Sequence, residues 1–252
     1  MEDVVLSRLV SLVPHGRFID VGAGHPILEN VTFALYLQGW RGINVEPMQT
    51  EVELLREVRP DDETIHAAVG ATIGSVTLFE APSENRGATT SSAELAAQYA
   101  SADGEPFVAF KSPMVTLASL LTKFGPGGVH VVKVDVEGME FNVLTGAELS
   151  QHLPWVVVVE STAPNTPTST AHLWEHIVLE AGYKCVLFDG LNRFYVRADL
   201  DDVARLLSVP ANVFDRWVPA ALVKLQETFL EVEAYARDLE KAVADLRAAN
   251  EK

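Results

Sequence analysis

Short runs of apolar residues recur along the first two hundred positions, separated by segments of helical periodicity. The pattern predicts strands at 17–21, 42–45, 64–69, 75–79, 129–134 and 155–159. It predicts helices at 32–38, 51–58, 116–123, 141–148 and 171–181. The 155–159 run is apolar throughout, and 129–134 nearly so despite Lys133, as expected of strands covered on both faces. Thr116 is placed to cap its helix and Gly182 to end the 171–181 helix. Strands at 184–188 and 193–196 form a hairpin across Asp189-Gly190-Leu191-Asn192. This alternation predicts an α/β fold with a mostly parallel sheet built from right-handed crossovers, to which the hairpin adds one antiparallel strand.

Two segments depart from the alternation. Residues 82–105 are rich in Ser, Thr, Ala and Gly, and read as a mobile lid or as a surface insertion without a role. Near the C-terminus, Leu225, Phe229, Val232, Ala236, Leu239, Val243 and Leu246 are spaced four, three, four, three, four, three. That spacing is a coiled-coil seam and predicts a homodimer, against the alternative of an amphipathic helix lying on its own domain. The predicted domains are 1–218 for the α/β unit and 219–252 for the C-terminal helix.

A net charge of -16 argues against nucleic acid and anionic membranes as partners. The single Cys185 excludes an internal disulfide and a multi-cysteine metal site; its apolar neighbours predict a buried thiol. Neither a signal peptide nor an apolar run near the ~20 residues of a membrane helix is evident, so a cytoplasmic protein is expected.

The chemistry begins at Ile19-Asp20-Val21-Gly22-Ala23-Gly24, a strand ending in an acid and a tight turn. Glu46 ends the next strand. Glycines allow a ligand close to the backbone, and an acid on the second strand suits two ribose hydroxyls, so the pair predicts a nucleotide-type cofactor. A dinucleotide site needs a third glycine, and Ile27 stands there instead, after His25-Pro26. A sulfonium cofactor has no pyrophosphate to hold. Asp20 would then help position its amino-acid end, indirectly or through water, and Glu46 its ribose.

Further motifs follow in order: Gly39-Trp40-Arg41-Gly42, Ala67-Ala68-Val69-Gly70, Val115-Thr116-Leu117, Lys133-Val134-Asp135-Val136-Glu137-Gly138, Pro154-Trp155 with Glu160, Trp174-Glu175, and Phe188-Asp189-Gly190 with Asn192. With Ile19–Ala23 they make residues 15–197 resemble the FkbM family of S-adenosylmethionine-dependent methyltransferases. The resemblance implies a class I methyltransferase, Rossmann-like fold with a seven-stranded sheet and helices on both faces. It implies cofactor contacts at Asp20, Gly22, Ala23, Gly24, Glu46 and Ala68, and O-methylation of a saccharide, for example a mannoside in polysaccharide biosynthesis. A polyketide or other small natural product is the alternative acceptor, and a non-catalytic coiled-coil assembly module the alternative role. His25-Pro26 departs from the family's turn.

A sugar hydroxyl is a poor nucleophile and needs a base or a metal. Ligands of open parallel sheets lie beyond the strands' carboxyl ends, which selects Asp135, Glu160, Asp189 and Asn192 as oxygen ligands for Mg²⁺ or Mn²⁺. Helix capping is the competing reading of Asp135 and Glu137. Asp135 and His172 are the catalytic candidates, with His172 and His176 one helical turn apart. His25 reads as a structural residue of the cofactor loop and Trp174 as packing.

Overall fold

Apolar side chains on both faces of the central strands leave no side for water, and helices cover both. The computed structural model describes residues 1–80, 89–94, 96–97, 107–163 and 166–250. Its elements begin with α1 (Glu2–Ser7), β1 (Arg17–Val21), α2 (Phe33–Leu37), β2 (Arg41–Glu46), α3 (Gln49–Val58), β3 (Glu63–His66), β4 (Ala68–Val69), β5 (Gly74–Glu80) and β6 (Val108–Val115). There follow α4 (Leu117–Leu121), β7 (Val131–Val134), α5 (Glu140–Thr145), α6 (Leu149–His152), β8 (Val156–Glu160), α7 (Glu175–Glu180), β9 (Tyr183–Phe188), β10 (Asn192–Arg197), α8 (Asp201–Leu207) and α9 (Ala220–Asn250).

The main sheet has seven strands in the order β3-β2-β1-β7-β8-β10-β9. The first five are mutually parallel, and β10 runs antiparallel to both its neighbours. This is the class I arrangement that the resemblance implies. Ile19, Val21, Val132, Val134, Val157 and Val159 share one core with α4, α5 and α7. Phe18, Val131, Val156 and Val158 share the other with Leu6, Leu35 and Leu207. Period-two alternation in each strand divides the two cores. The chain order reverses between β1 and β7, where an open parallel sheet has its crevice.

The structure corrects several expectations. The 64–69 strand is two strands: β3 joins the main sheet and β4 a second, three-stranded sheet of order β4-β6-β5. The sequence pattern gave no sign of β6, because Lys111, Ser112 and Pro113 interrupt it. Pro113 fits because β6 is paired there to the short β5 end, Ser75 opposite. The 171–181 helix is broken into a 3₁₀ turn, Ala171–Leu173, and α7. The 141–148 helix stops at Thr145, before Gly146. Cys185 is exposed, because β9 is the sheet's edge strand. Thr116 does cap α4, accepting from the Ser119 N–H at 3.2 Å. Most of the 82–105 segment lies outside the described residues.

Contacts divide the chain into two units, Met1–Ala211 and Asn212–Lys252. In the second, α9 presents Leu225, Phe229, Val232 and Leu239 with roughly half or more of each side chain exposed. Among the described residues, no helix is long and apolar enough to cross a membrane.

Candidate active site

At the reversal between β1 and β7, β1 ends in Gly22, whose N–H and that of Ala23 both donate to the Val45 carbonyl of β2. Gly22 has φ +74, and a Cβ there would stand 1.8 Å from the Asp135 carbonyl oxygen. Only glycine lets the two strand ends approach this closely. Gly24, also at positive φ, donates its N–H to Glu46 at 2.8 Å. The second Glu46 oxygen accepts from Met48 N–H at 2.9 Å. Burial pushes the Glu46 carboxyl up to about 7, partly offset by those two N–H donors.

A cavity of about 520 Å³ opens here. Gly22, Ala23, Gly24, Glu46 and Ala68 line it, as expected, together with Met48, Leu78 and Met139. Asp20 does not. It is fully buried beneath, accepting from the Thr32 hydroxyl at 2.6 Å. The cause is strand alternation: Asp20 points to the face opposite Ile19 and Val21. Its reach to the cavity runs through Lys133, 3.6 Å from Asp20 and 3.2 Å from Asp135. Lys133 also donates to the Gly22 carbonyl at 3.1 Å. Burial pulls this ammonium down; the Asp135 and Asp20 carboxylates overcome that and hold it above the ordinary lysine value.

His25-Pro26 also finds its explanation. His25 Nδ1 accepts the N–H groups of Ile27 and Leu28, at 3.1 and 3.0 Å. The imidazole does the work of a turn-capping acceptor, which fixes its tautomer with the proton on Nε2.

Carboxylate oxygens of Asp135, Glu137 and Glu160 all lie within 4.8 Å of one another. Asp135 follows β7, Glu160 ends β8, and the two strands are neighbours. Glu137 is held in a left-handed turn at φ 50, and Thr90 donates its hydroxyl to the Glu137 carbonyl at 3.1 Å. Burial, then the Asp135 and Glu140 charges, push Glu137 to about 7. Burial and then Asp135 and Glu137 raise Glu160 well above the carboxylate range. Three hard oxygen donors crowded this way fit a divalent cation such as Mg²⁺ or Mn²⁺.

Asp189 does not join this acidic cluster, while Asn192 stands opposite Glu160 in the neighbouring strand. Asp189 Oδ1 accepts the N–H groups of Leu191 and Asn192, at 2.9 and 2.8 Å, and so closes the hairpin turn. The Asn192 amide donates to Glu2 of α1. The third acid is Glu137 instead. His172 is exposed on its 3₁₀ turn and is not among the residues lining the cavity, and the break before α7 takes it off the helix of His176. Trp174 packs in the core, edge-on to Tyr195 at 5.9 Å.

Sequence reasoning passed over Glu137 as a ligand and Lys133 as a site residue. A lone lysine inside an apolar strand was the available signal, since such a charge is buried only when paired.

The family model described as the methyltransferase FkbM domain matches residues 20–185. No curated protein matches the chain. Among solved structures, similarity extends to a TehB-like SAM-dependent methyltransferase from Corynebacterium glutamicum, at 10% identity and TM-score 0.43, covering 78% of this chain and 86% of that one. A precorrin-6y C5,15-methyltransferase from Geobacter metallireducens is similar at 14% identity and TM-score 0.39, covering 77% and 85%.

Proposed function

Because the chain belongs to the FkbM methyltransferase family, we propose that it is an S-adenosylmethionine-dependent O-methyltransferase acting on a saccharide hydroxyl with the help of a divalent cation. The observation that carries this reading is the convergence of Asp135, Glu137 and Glu160 beside a cavity whose floor is the Gly22–Gly24 turn and Glu46.

When bound, the cofactor supplies an electrophilic methyl group on a sulfonium. Glu46 would accept the ribose hydroxyls, and Gly22 and Gly24 would let the ligand reach the backbone. Lys133 pairs with Asp135 at 3.2 Å. Asp135 receives the proton that the acceptor hydroxyl gives up. Asp135, Glu137 and Glu160 would hold the cation, whose charge acidifies that hydroxyl. Asp135 and Glu137, which line the cavity beside the apolar Met48, Leu78 and Met139, are the polar groups that support a hydroxyl-bearing acceptor. Incubation with labelled cofactor and a panel of saccharides and apolar natural products, with and without chelator, tests this. Saccharide labelling abolished by chelator and restored by Mg²⁺ is expected. Full labelling in chelator overturns the metal, and labelling of only the apolar compounds overturns the acceptor class. Cofactor binding with no turnover of any compound would favour the assembly-module role.

We also propose that α9 pairs with a second copy in parallel. Continuing the heptad, Glu233 and Glu240 fall at e positions, while Thr228, Tyr235 and Ala242 fall at g. A parallel pair sets Glu233 against Thr228 and Glu240 against Tyr235, both uncharged. An antiparallel pair sets e against e, and in registers that centre this seam it brings Glu233 or Glu240 against a glutamate of the partner.

A further inference from the structure

Six residues of the loop after β1 line the cavity: Gly22, Ala23, Gly24, His25, Leu28 and Glu29. His25 ties the middle of this loop to itself. Its far end is closed by Asn30, whose Nδ2 donates to the Ala23 carbonyl at 2.9 Å. Asn30 Oδ1 in turn accepts the N–H groups of Thr32 and Phe33, at 3.0 and 2.8 Å, and Arg59 Nη1 at 3.1 Å. Both ends of this one amide are engaged, and the carbonyl end is set by a cation.

That cation is fully buried. Arg59 pairs with Asp62 at 2.9 Å, both side chains without exposure, and stacks over Phe18 and Tyr36 with its carbon 5.2 Å from each ring centre. Its other nitrogen donates to the Thr32 hydroxyl at 3.0 Å, which donates to Asp20, which faces Lys133. Charges therefore alternate in sign from the buried Asp62 through Arg59, Asp20 and Lys133 to the partly exposed Asp135. A buried arginine is costly unless every donor is used, so its site is rigid. The family reading gives Asn30, Thr32, Arg59 and Asp62 no task, and none of these four is among the residues lining the cavity, whereas Lys133 and Asp135 at the other end are.

We propose that Asn30 is a positioning residue of the cofactor site, fastened by Arg59, which holds the Gly22–Glu29 loop closed before the cofactor arrives. A loop already ordered needs no ordering at binding, and affinity gains by that difference. This rests on the S-adenosylmethionine reading above. The Ala23 carbonyl is the fixed point: the same residue donates its N–H to Val45, so the amide of Asn30 clamps the turn between β2 and α2.

Asn30→Asp tests it. The carboxylate keeps the acceptor facing Thr32, Phe33 and Arg59 but sets an oxygen against the Ala23 carbonyl in place of the donor. Titration calorimetry with S-adenosylmethionine is expected to show a dissociation constant raised about tenfold or more, the equivalent of a lost buried hydrogen bond. Hydrogen exchange at the Gly22 and Gly24 amides is expected to quicken, while the β7 and β8 amides and the melting temperature stay as in the wild type. Unchanged affinity and unchanged exchange in a folded variant overturn the proposal. Should Asn30→Asp fail to fold, Asn30→Ser still caps Phe33 but is too short for Ala23, and carries the same expectation. Failure of both to fold overturns it as well, since Asn30 would then belong to the core. Wild-type protein that does not bind S-adenosylmethionine refutes the cofactor reading instead, and its loop exchange still tests the clamp.

Discussion

Gly22 shows how much one position can decide. A methyl group there meets the Asp135 carbonyl at 1.8 Å in a backbone conformation unfavourable to any other residue. Gly22→Ala is expected to cost about 3 kcal/mol in a denaturant melt, from strain and overpacking together, and to abolish cofactor binding. Lys133→Met removes the cation that stands between Asp20 and Asp135, leaving the buried Asp20 with only the Thr32 hydroxyl among its described partners. The expected loss is about 3–5 kcal/mol, and the double variant with Asp20→Asn should recover part of it, read by the same melts. Glu46→Gln replaces one acceptor oxygen of the carboxyl with an amide donor and should weaken cofactor binding by roughly tenfold or more. Residue types announced some of these roles. Glycine after a strand-end acid, and an acid on the next strand, were legible because their chemistry is local. The turn-capping role of His25 was not, because it depends on which N–H groups the loop folds onto the ring.

Elements were legible to the extent that their periodicity is local. The all-apolar strands β7 and β8 and the capped α4 follow from short runs, and Thr116→Ala is expected to cost about 1 kcal/mol in thermal denaturation. The strand β6 was hidden, because its partners are in other segments and its polar residues face solvent or the turn of the second sheet. The break before α7 was hidden too: Trp174 is drawn into the core against Tyr195, and that pull, not propensity, ends the 3₁₀ turn. The hairpin turn was found, but its acid serves the turn: Asp189 Oδ1 accepts both the Leu191 and Asn192 N–H groups, and the Asn192 amide donates to Glu2 of α1.

For the molecule as a whole, the crowded acids make stability depend on pH. Glu46 and Glu137 rise from 4.5 to about 7 in the folded chain, and Glu160 rises too. The folded state therefore holds more protons than the unfolded one above pH 4.5, so this stability is full below about 4.5 and is lost as pH rises through about 7. Glu46 alone, buried, accounts for about 3 kcal/mol of that loss. His130, lowered by burial and then Arg17, opposes it weakly in the acid range. Urea midpoints of ligand-free protein are expected to fall from pH 5.5 to pH 8, and Mg²⁺ to raise the midpoint more at pH 8 than at pH 6. Sedimentation of the intact chain should give a dimer, and a chain ending at residue 218 a monomer with unchanged cofactor affinity. By itself the sequence determined the fold class and the glycine turn after the first strand, since period and glycine position are written in neighbouring residues. Only the tertiary structure decided which acids meet. Asp135, Glu137 and Glu160 come together because β7 and β8 lie side by side and a left-handed turn swings Glu137 inward. Asp20 and Lys133, aligned in neighbouring strands, face each other for the same reason: a strand's register with its neighbour is fixed by the whole sheet, not by the strand.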